Sequence, residues 1–184
     1  MQRIAIISSS VREERLSNRV ALYIEKYLNE NYVNPGILKN ITMLDLKAYN
    51  FPIFEERFPY LKAPSEALLD FTGKLVSAEG LIIVSPVYNS SFPAALKNVI
   101  DLYYKEWQHK VIGICSVSVG NVPGIATVQE LQKLMLKLGS WVAPVLSTVT
   151  SVEKEFDAEG NPSHTEVAEK TVKTLIEEML LLAR

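Results

Sequence analysis

A single cysteine among 184 residues leaves no partner for an internal disulfide. Cys115 lies inside the apolar run Val111–Ser118 and is expected to be a buried strand residue, not a reactive thiol. Histidine is almost as scarce. His109 and His164 are the only two, neither near a cysteine or a carboxylate cluster at metal-ligand spacing, so no metal site is expected. The same scarcity leaves a serine–histidine hydrolase almost nothing to build with. No basic block accompanies the net charge of −2, so the electrostatic footprint of a nucleic-acid binder is missing. No apolar run approaches the roughly 20 residues of a membrane span, and the first residues read as a strand, not a signal peptide. The expected setting is the cytoplasm, without membrane or nucleic acid as partner.

What is present fits a globular protein: 48% hydrophobic and 22% charged residues. The length falls within the roughly 50–250 residues of one domain, so a single domain over residues 1–184 is expected. Five strand candidates appear in order: Arg3–Ile7, Ile41–Leu46, Gly80–Ser85, Lys110–Ser118 and Trp141–Ser147. The third and fourth are nearly continuous runs rich in isoleucine and valine, as expected of strands covered on both faces.

Helical stripes fill the gaps. Val20, Ala21, Ile24 and Leu28 make the first, and Leu68, Leu69, Leu75 and Val76 the second. A third runs from Phe92 through Leu96 and Val99 to Tyr103, and a fourth from Val128 to Leu138, with Gly139 placed to end it. The last spans Val167 to Leu180. Tyr49–Ala63 reads as an ordered aromatic loop, and Glu155–Ser163 as a polar turn. Five strands alternating with five helices predict an α/β protein built on one parallel sheet with helices on both faces. Ligands of such sheets sit beyond the carboxyl ends of the strands. Three loops are thereby nominated: Ser8–Ser17, Pro86–Ser91 and Ser116–Gly124.

The first loop follows a buried strand and enters a helix. It offers Ser9 and Ser10 hydroxyls and the guanidinium groups of Arg12 and Arg15, which stand three apart and suit one phosphate. The helix start adds unpaired N–H groups and a favourable dipole. An ordinary surface turn, with an arginine paired to Glu13 or Glu14, fits this segment equally well. The second loop, Pro86-Val87-Tyr88-Asn89-Ser90-Ser91, supplies an aromatic plane, an amide and backbone donors that suit a flat heterocycle. Ser91 is positioned as an N-cap for the following helix. A capped helix start with Tyr88 only packing explains this loop too. In the third loop, Gly120 and Gly124 permit close backbone approach or positive φ, as a plain turn also would.

Together these residues resemble the NAD(P)H-dependent FMN reductases of flavodoxin-like fold. Ser9-Ser10-Val11-Arg12-Glu13-Glu14-Arg15 is similar to the family's first-loop pattern GSxRxxR or GSxRxxS. The segment Pro86 to Asp101 is similar to PEYNxSxPxxLKNxxD, and Glu106-Trp107 and Phe156-Asp157 with Gly160 follow the family's habits. Two positions depart: Ser9 stands for a glycine, a strain point wherever that position needs positive φ, and Val87 stands for a glutamate. The third loop is also poorer in glycine.

The resemblance implies a three-layer sandwich with strand order 2-1-3-4-5. It implies FMN as cofactor and NADPH or NADH as reductant. Ser9, Ser10, Arg12 and Arg15 match the phosphate-holding stretch, with Ser17 and Asn18 as helpers at the helix start. Pro86, Val87, Tyr88, Asn89 and Ser90 match the loop along the isoalloxazine, and Ser116 and Gly120 the loop at the ring's far edge. Hydride passing from nicotinamide to flavin N5, and then to a quinone, azo compound, free flavin or metal ion, is the implied reaction. No catalytic side chain is required, and a homodimer or homotetramer is implied. Two other readings stay open: a flavodoxin-type electron carrier without pyridine-nucleotide activity, and a flavin-free phosphate- or nucleotide-binding module.

Overall fold

The computed structural model describes residues 1–183. Its centre is a parallel sheet of β1 (Arg3–Ser8), β2 (Asn40–Asp45), β3 (Gly80–Pro86), β4 (Val111–Val117) and β5 (Trp141–Val142), in the order β2-β1-β3-β4-β5. This is the doubly wound order of flavodoxin-like sheets, with its switch point between β1 and β3. The central strands are buried almost residue by residue, which explains their unbroken isoleucine and valine content.

The expected fifth strand is divided. Trp141–Val142 pairs with Val111–Ile112, while β6 (Ser147–Val149) pairs with Cys115–Val117 of the same strand. Pro144 lies in the gap, and a residue with no N–H to donate interrupts a ladder. Five steps of chain from Val142 to Ser147 face three steps from Ile112 to Cys115, so the edge bulges outward.

Helices cover both faces. On one side α1 (Ser17–Leu28) and α7 (Thr165–Leu182) pack Val20, Ile24, Leu28, Val172, Ile176 and Met179 onto the sheet. On the other, α3 (Glu66–Ser77), α4 (Ala94–Leu102) and α5 (Ile125–Lys137) bury Phe71, Leu75, Leu96, Val99, Val128 and Leu131. The second stripe is corrected here: Leu68, Phe71 and Leu75 face the core, whereas Leu69 and Val76 are 50% and 56% exposed. Two short helices, α2 (Leu46–Tyr49) and α6 (Val152–Glu155), close corners at the carboxyl edge. Gly139 ends α5 with φ +85° as its place in the sequence predicts. Cys115 is buried, and loss of solvent pushes its thiol up to about 11.

Candidate functional site

β1, β3 and β4 end side by side, so the loops that follow them meet at one edge. Between them lies a cavity of about 110 Å³. Ser10, Arg12, Glu14, Arg15, Leu16 and Ser17 come to it from the first loop, Pro86, Val87 and Tyr88 from the second, Val117 and Val119 from the third, and Val152 from α6. An open cleft of about 570 Å³ continues outward from Arg12 and Arg15 past Asn18, Arg19 and Glu153.

The polar half of the cavity gathers groups that can donate to an anion. Ser17 opens α1, and its buried Oγ has no hydrogen-bond partner. An orphaned hydroxyl at a helix start costs free energy unless water or a ligand satisfies it. The helix start carries no side-chain cap and no acidic residue in its first turn. Arg12 is exposed and forms no ion pair among the described residues, its guanidinium lying 5.8 Å from the centre of the Tyr88 ring. Ser10 Oγ is hydrogen-bonded to the Tyr88 hydroxyl at 2.8 Å, which joins the first loop to the second. Glu14 shares the lining but is exposed, where its charge is screened.

Other expected site residues are engaged by partners within the protein. Ser9 is buried; its N–H and Oγ both donate to the Val84 carbonyl, and it takes no positive φ. The glycine it replaces is thus not demanded by backbone strain. Arg15 lines the cavity, but its guanidinium is taken up by Asp45: Nη1 pairs with Oδ1, and Nη2 donates to Oδ2 at 2.6 Å. Neither arginine pairs with Glu13 or Glu14; Glu13 meets Lys47 instead at 2.8 Å. Asn18 accepts from Ser8 Oγ at 2.9 Å.

The second loop is a two-residue turn. Tyr88 and Ser91 exchange backbone hydrogen bonds of 2.8 and 3.0 Å around Asn89 and Ser90, whose φ values are +50° and +65°. That is the type I′ pattern, which glycine suits better than serine. Replacing Ser90 by glycine should therefore stabilise the protein by a few tenths to about 1 kcal/mol, the relief of left-handed strain less the added chain entropy. Thermal melting checks this, and a lowered midpoint contradicts it. Ser91 does not cap α4; Pro93 occupies that place and the Ser91 hydroxyl binds Glu130.

In the third loop, Gly124 is the glycine that packing requires. A Cβ there would lie 2.4 Å from Val87 Cγ2 and 2.7 Å from Ser116 Oγ, whereas at Gly120 it would meet open space. The buried Ser116 hydroxyl, like that of Ser17, has no partner.

Sequence reasoning missed Asp45 altogether. Burial raises its carboxyl, but the hydrogen bonds and charge of Arg15, with the Lys47 and Ala48 N–H groups, outweigh that and hold it below the usual aspartate value of 3.8. Its contribution to stability is complete above that value and is lost as pH falls through the lowered one. A lone aspartate closing an apolar strand at a helix start was the available signal, since it caps α2 through Lys47 N–H.

Comparison with known proteins gives the family and the fold. The pattern of a family described as NADPH-dependent FMN reductase matches residues 2–154. An NAD(P)H-dependent FMN reductase of Saccharomyces cerevisiae is 28% identical over 141 residues, covering 72% of this chain and 73% of the relative. A quinone reductase of Pseudomonas putida is 28% identical over 140 residues, covering 73% and 70%. Among solved structures, the flavoenzyme NAD(P)H:(acceptor) oxidoreductase FerB of Paracoccus denitrificans shares the fold with a TM-score of 0.79 at 16% identity, covering 100% of this chain and 98% of FerB. An archaeal flavodoxin shares it with a TM-score of 0.63 at 10% identity, each chain covered completely. The chain belongs to the NADPH-dependent FMN reductase family.

Proposed function

We propose that this protein is an FMN-dependent oxidoreductase, reduced by NADPH or NADH and reoxidised by a small molecule such as a quinone, an azo compound, free flavin or a metal ion. The observation that carries this reading is the meeting of the orphaned Ser17 hydroxyl and the unpaired Arg12 in one cavity with Val87 and Tyr88. Ser10, Arg12, Ser17 and the first N–H groups of α1 would hold the phosphate. The turn Tyr88–Ser91 and the residues before it would lie along the ring, and Ser116 with Gly120 would border its far side.

FMN, when bound, supplies the two-electron chemistry that no side chain of this site offers. The protein's share is orientation, backbone donors and exclusion of water. Val87, Val117, Val119 and Val152 give the cavity an apolar wall, which strengthens the polar contacts opposite. The buried Cys115, raised to about 11, is no nucleophile for this work.

A homodimer or homotetramer belongs to the same reading. It is supported by Ile53 and Tyr60, 86% and 70% exposed in the aromatic loop beside an apolar cleft of about 310 Å³.

The absorbance spectrum of the purified protein, taken after FMN addition and again after NADPH, tests the proposal. Bound flavin that bleaches with NADPH supports it. Bound flavin that neither NADPH nor NADH bleaches points to an electron carrier, and a protein that stays colourless with FMN points to a phosphate-binding module without flavin.

A further inference from the structure

We infer that Asp45 and Arg15 are a positioning pair that shapes the phosphate loop, and that Arg12 alone carries the cationic contact to the phosphate. The inference rests on the FMN reading. Strand pairing sets Asp45 beside Ser8, the last residue before the first loop. Asp45 is fixed there a second time, because its carboxylate caps α2 by accepting from Lys47 N–H at 3.0 Å. From that fixed point it holds both Nη atoms of Arg15 in a fork. The same guanidinium donates to the Ser10 carbonyl at 3.2 Å, so Arg15 spans the loop from its far end back to its start.

Three of the five guanidinium donors are spent in this way. Moving Arg15 to a phosphate would strand the Asp45 carboxylate, whose side chain is 25% exposed, without its partner. Breaking a partly buried pair by removing one member is costly, because the other charge is left desolvated. Arg12 has no such commitment among the described residues. The second tie between loop and strand corner, Glu13 with Lys47, adds little, since Glu13 is 91% exposed.

The affinities of the full chain for FMN and for riboflavin, read by quenching of flavin fluorescence, give the test. Their ratio isolates the phosphate contact, because both ligands share the ring and the ribityl chain. Asp45→Ser keeps a cap for α2 and removes the ion pair. It and Arg15→Ala should each lower the ratio by about ten-fold, one charge-assisted hydrogen bond's worth, with riboflavin affinity kept. The double variant should be no worse than either single one, as expected of residues acting as a unit.

If Arg15 were itself a phosphate ligand, Asp45→Ser would free it and tighten FMN while Arg15→Ala loosened it. Opposite signs, or an unchanged ratio in both variants, overturn the inference. Loss of riboflavin binding by Asp45→Ser would mark a folding defect; Asp45→Asn, which keeps the shape, then replaces it and must lower the ratio. If the unsubstituted chain binds no flavin, the FMN reading and this inference fall together; binding with opposite signs removes only the inference.

Discussion

Replacing Arg12 by glutamate should weaken FMN binding by about 100-fold or more and leave riboflavin affinity within a few-fold. The size follows from the loss of one or two charge-assisted hydrogen bonds, each worth about 1.5–3 kcal/mol, with about 1.4 kcal/mol per factor of ten. A carboxylate set against a phosphate then adds repulsion to the loss. Arg12 is exposed, so part of its attraction is screened, and raising the salt should narrow the gap between wild type and variant. Titration of both flavins, followed by fluorescence, decides the matter. Equal losses for FMN and riboflavin would assign Arg12 to the ring through its contact with Tyr88, and would remove the phosphate from this loop.

The segment around Arg12 shows what the sequence can and cannot disclose. That a strand gives way to a hydroxyl-rich turn and then a helix is local information, and β1 and α1 lie where periodicity places them. Which arginine faces a ligand is not local. Arg15 finds Asp45 thirty residues away because β1 and β2 pair in one register, and no pattern inside the loop encodes that register. Ser9 behaves alike: its hydroxyl binds the carbonyl of Val84, seventy-five residues on, and so leaves the candidate ligand surface.

The helix α3 failed for another reason. Leu68-Leu69 and Leu75-Val76 are adjacent apolar pairs, and adjacency does not choose a face; Phe71, three residues beyond Leu68 and four before Leu75, chooses it. The divided fifth strand was readable in principle. Pro144 stands in the middle of Trp141–Ser147, and proline inside a strand pattern is a warning of an edge or a break.

Gly160→Ala should lower stability by about 2–5 kcal/mol, the largest loss foreseen for so small a change. Gly160 lies in a short hairpin whose ends, Phe156 and Pro162, bridge, and whose Asp157 side chain accepts from Asn161 N–H and Nδ2. Its φ is +81°, and a Cβ there would lie 2.5 Å from the Arg19 carbonyl and 3.0 Å from Tyr23 N. Those are atoms of the α1 backbone, which cannot step aside as a flexible side chain can. The hairpin is clasped to that helix by Arg19 Nη1 on the Phe156 carbonyl at 2.7 Å and Lys26 Nζ on the Glu159 carbonyl at 2.8 Å. Lifting it would loosen α1 within two residues of Ser17, so FMN affinity should fall with stability. Gly36→Ala is the matched control, since Gly36 has φ +80° and a Cβ there would meet nothing within 4 Å. It bears the left-handed strain alone, about 1–2 kcal/mol. For a chain of this size the Gly160 variant should melt about 4–20 °C below wild type, and clearly below the Gly36 variant. Equal midpoints for the two variants would show that the hairpin moves freely over α1, and would remove the clasp as a support of the proposed phosphate site.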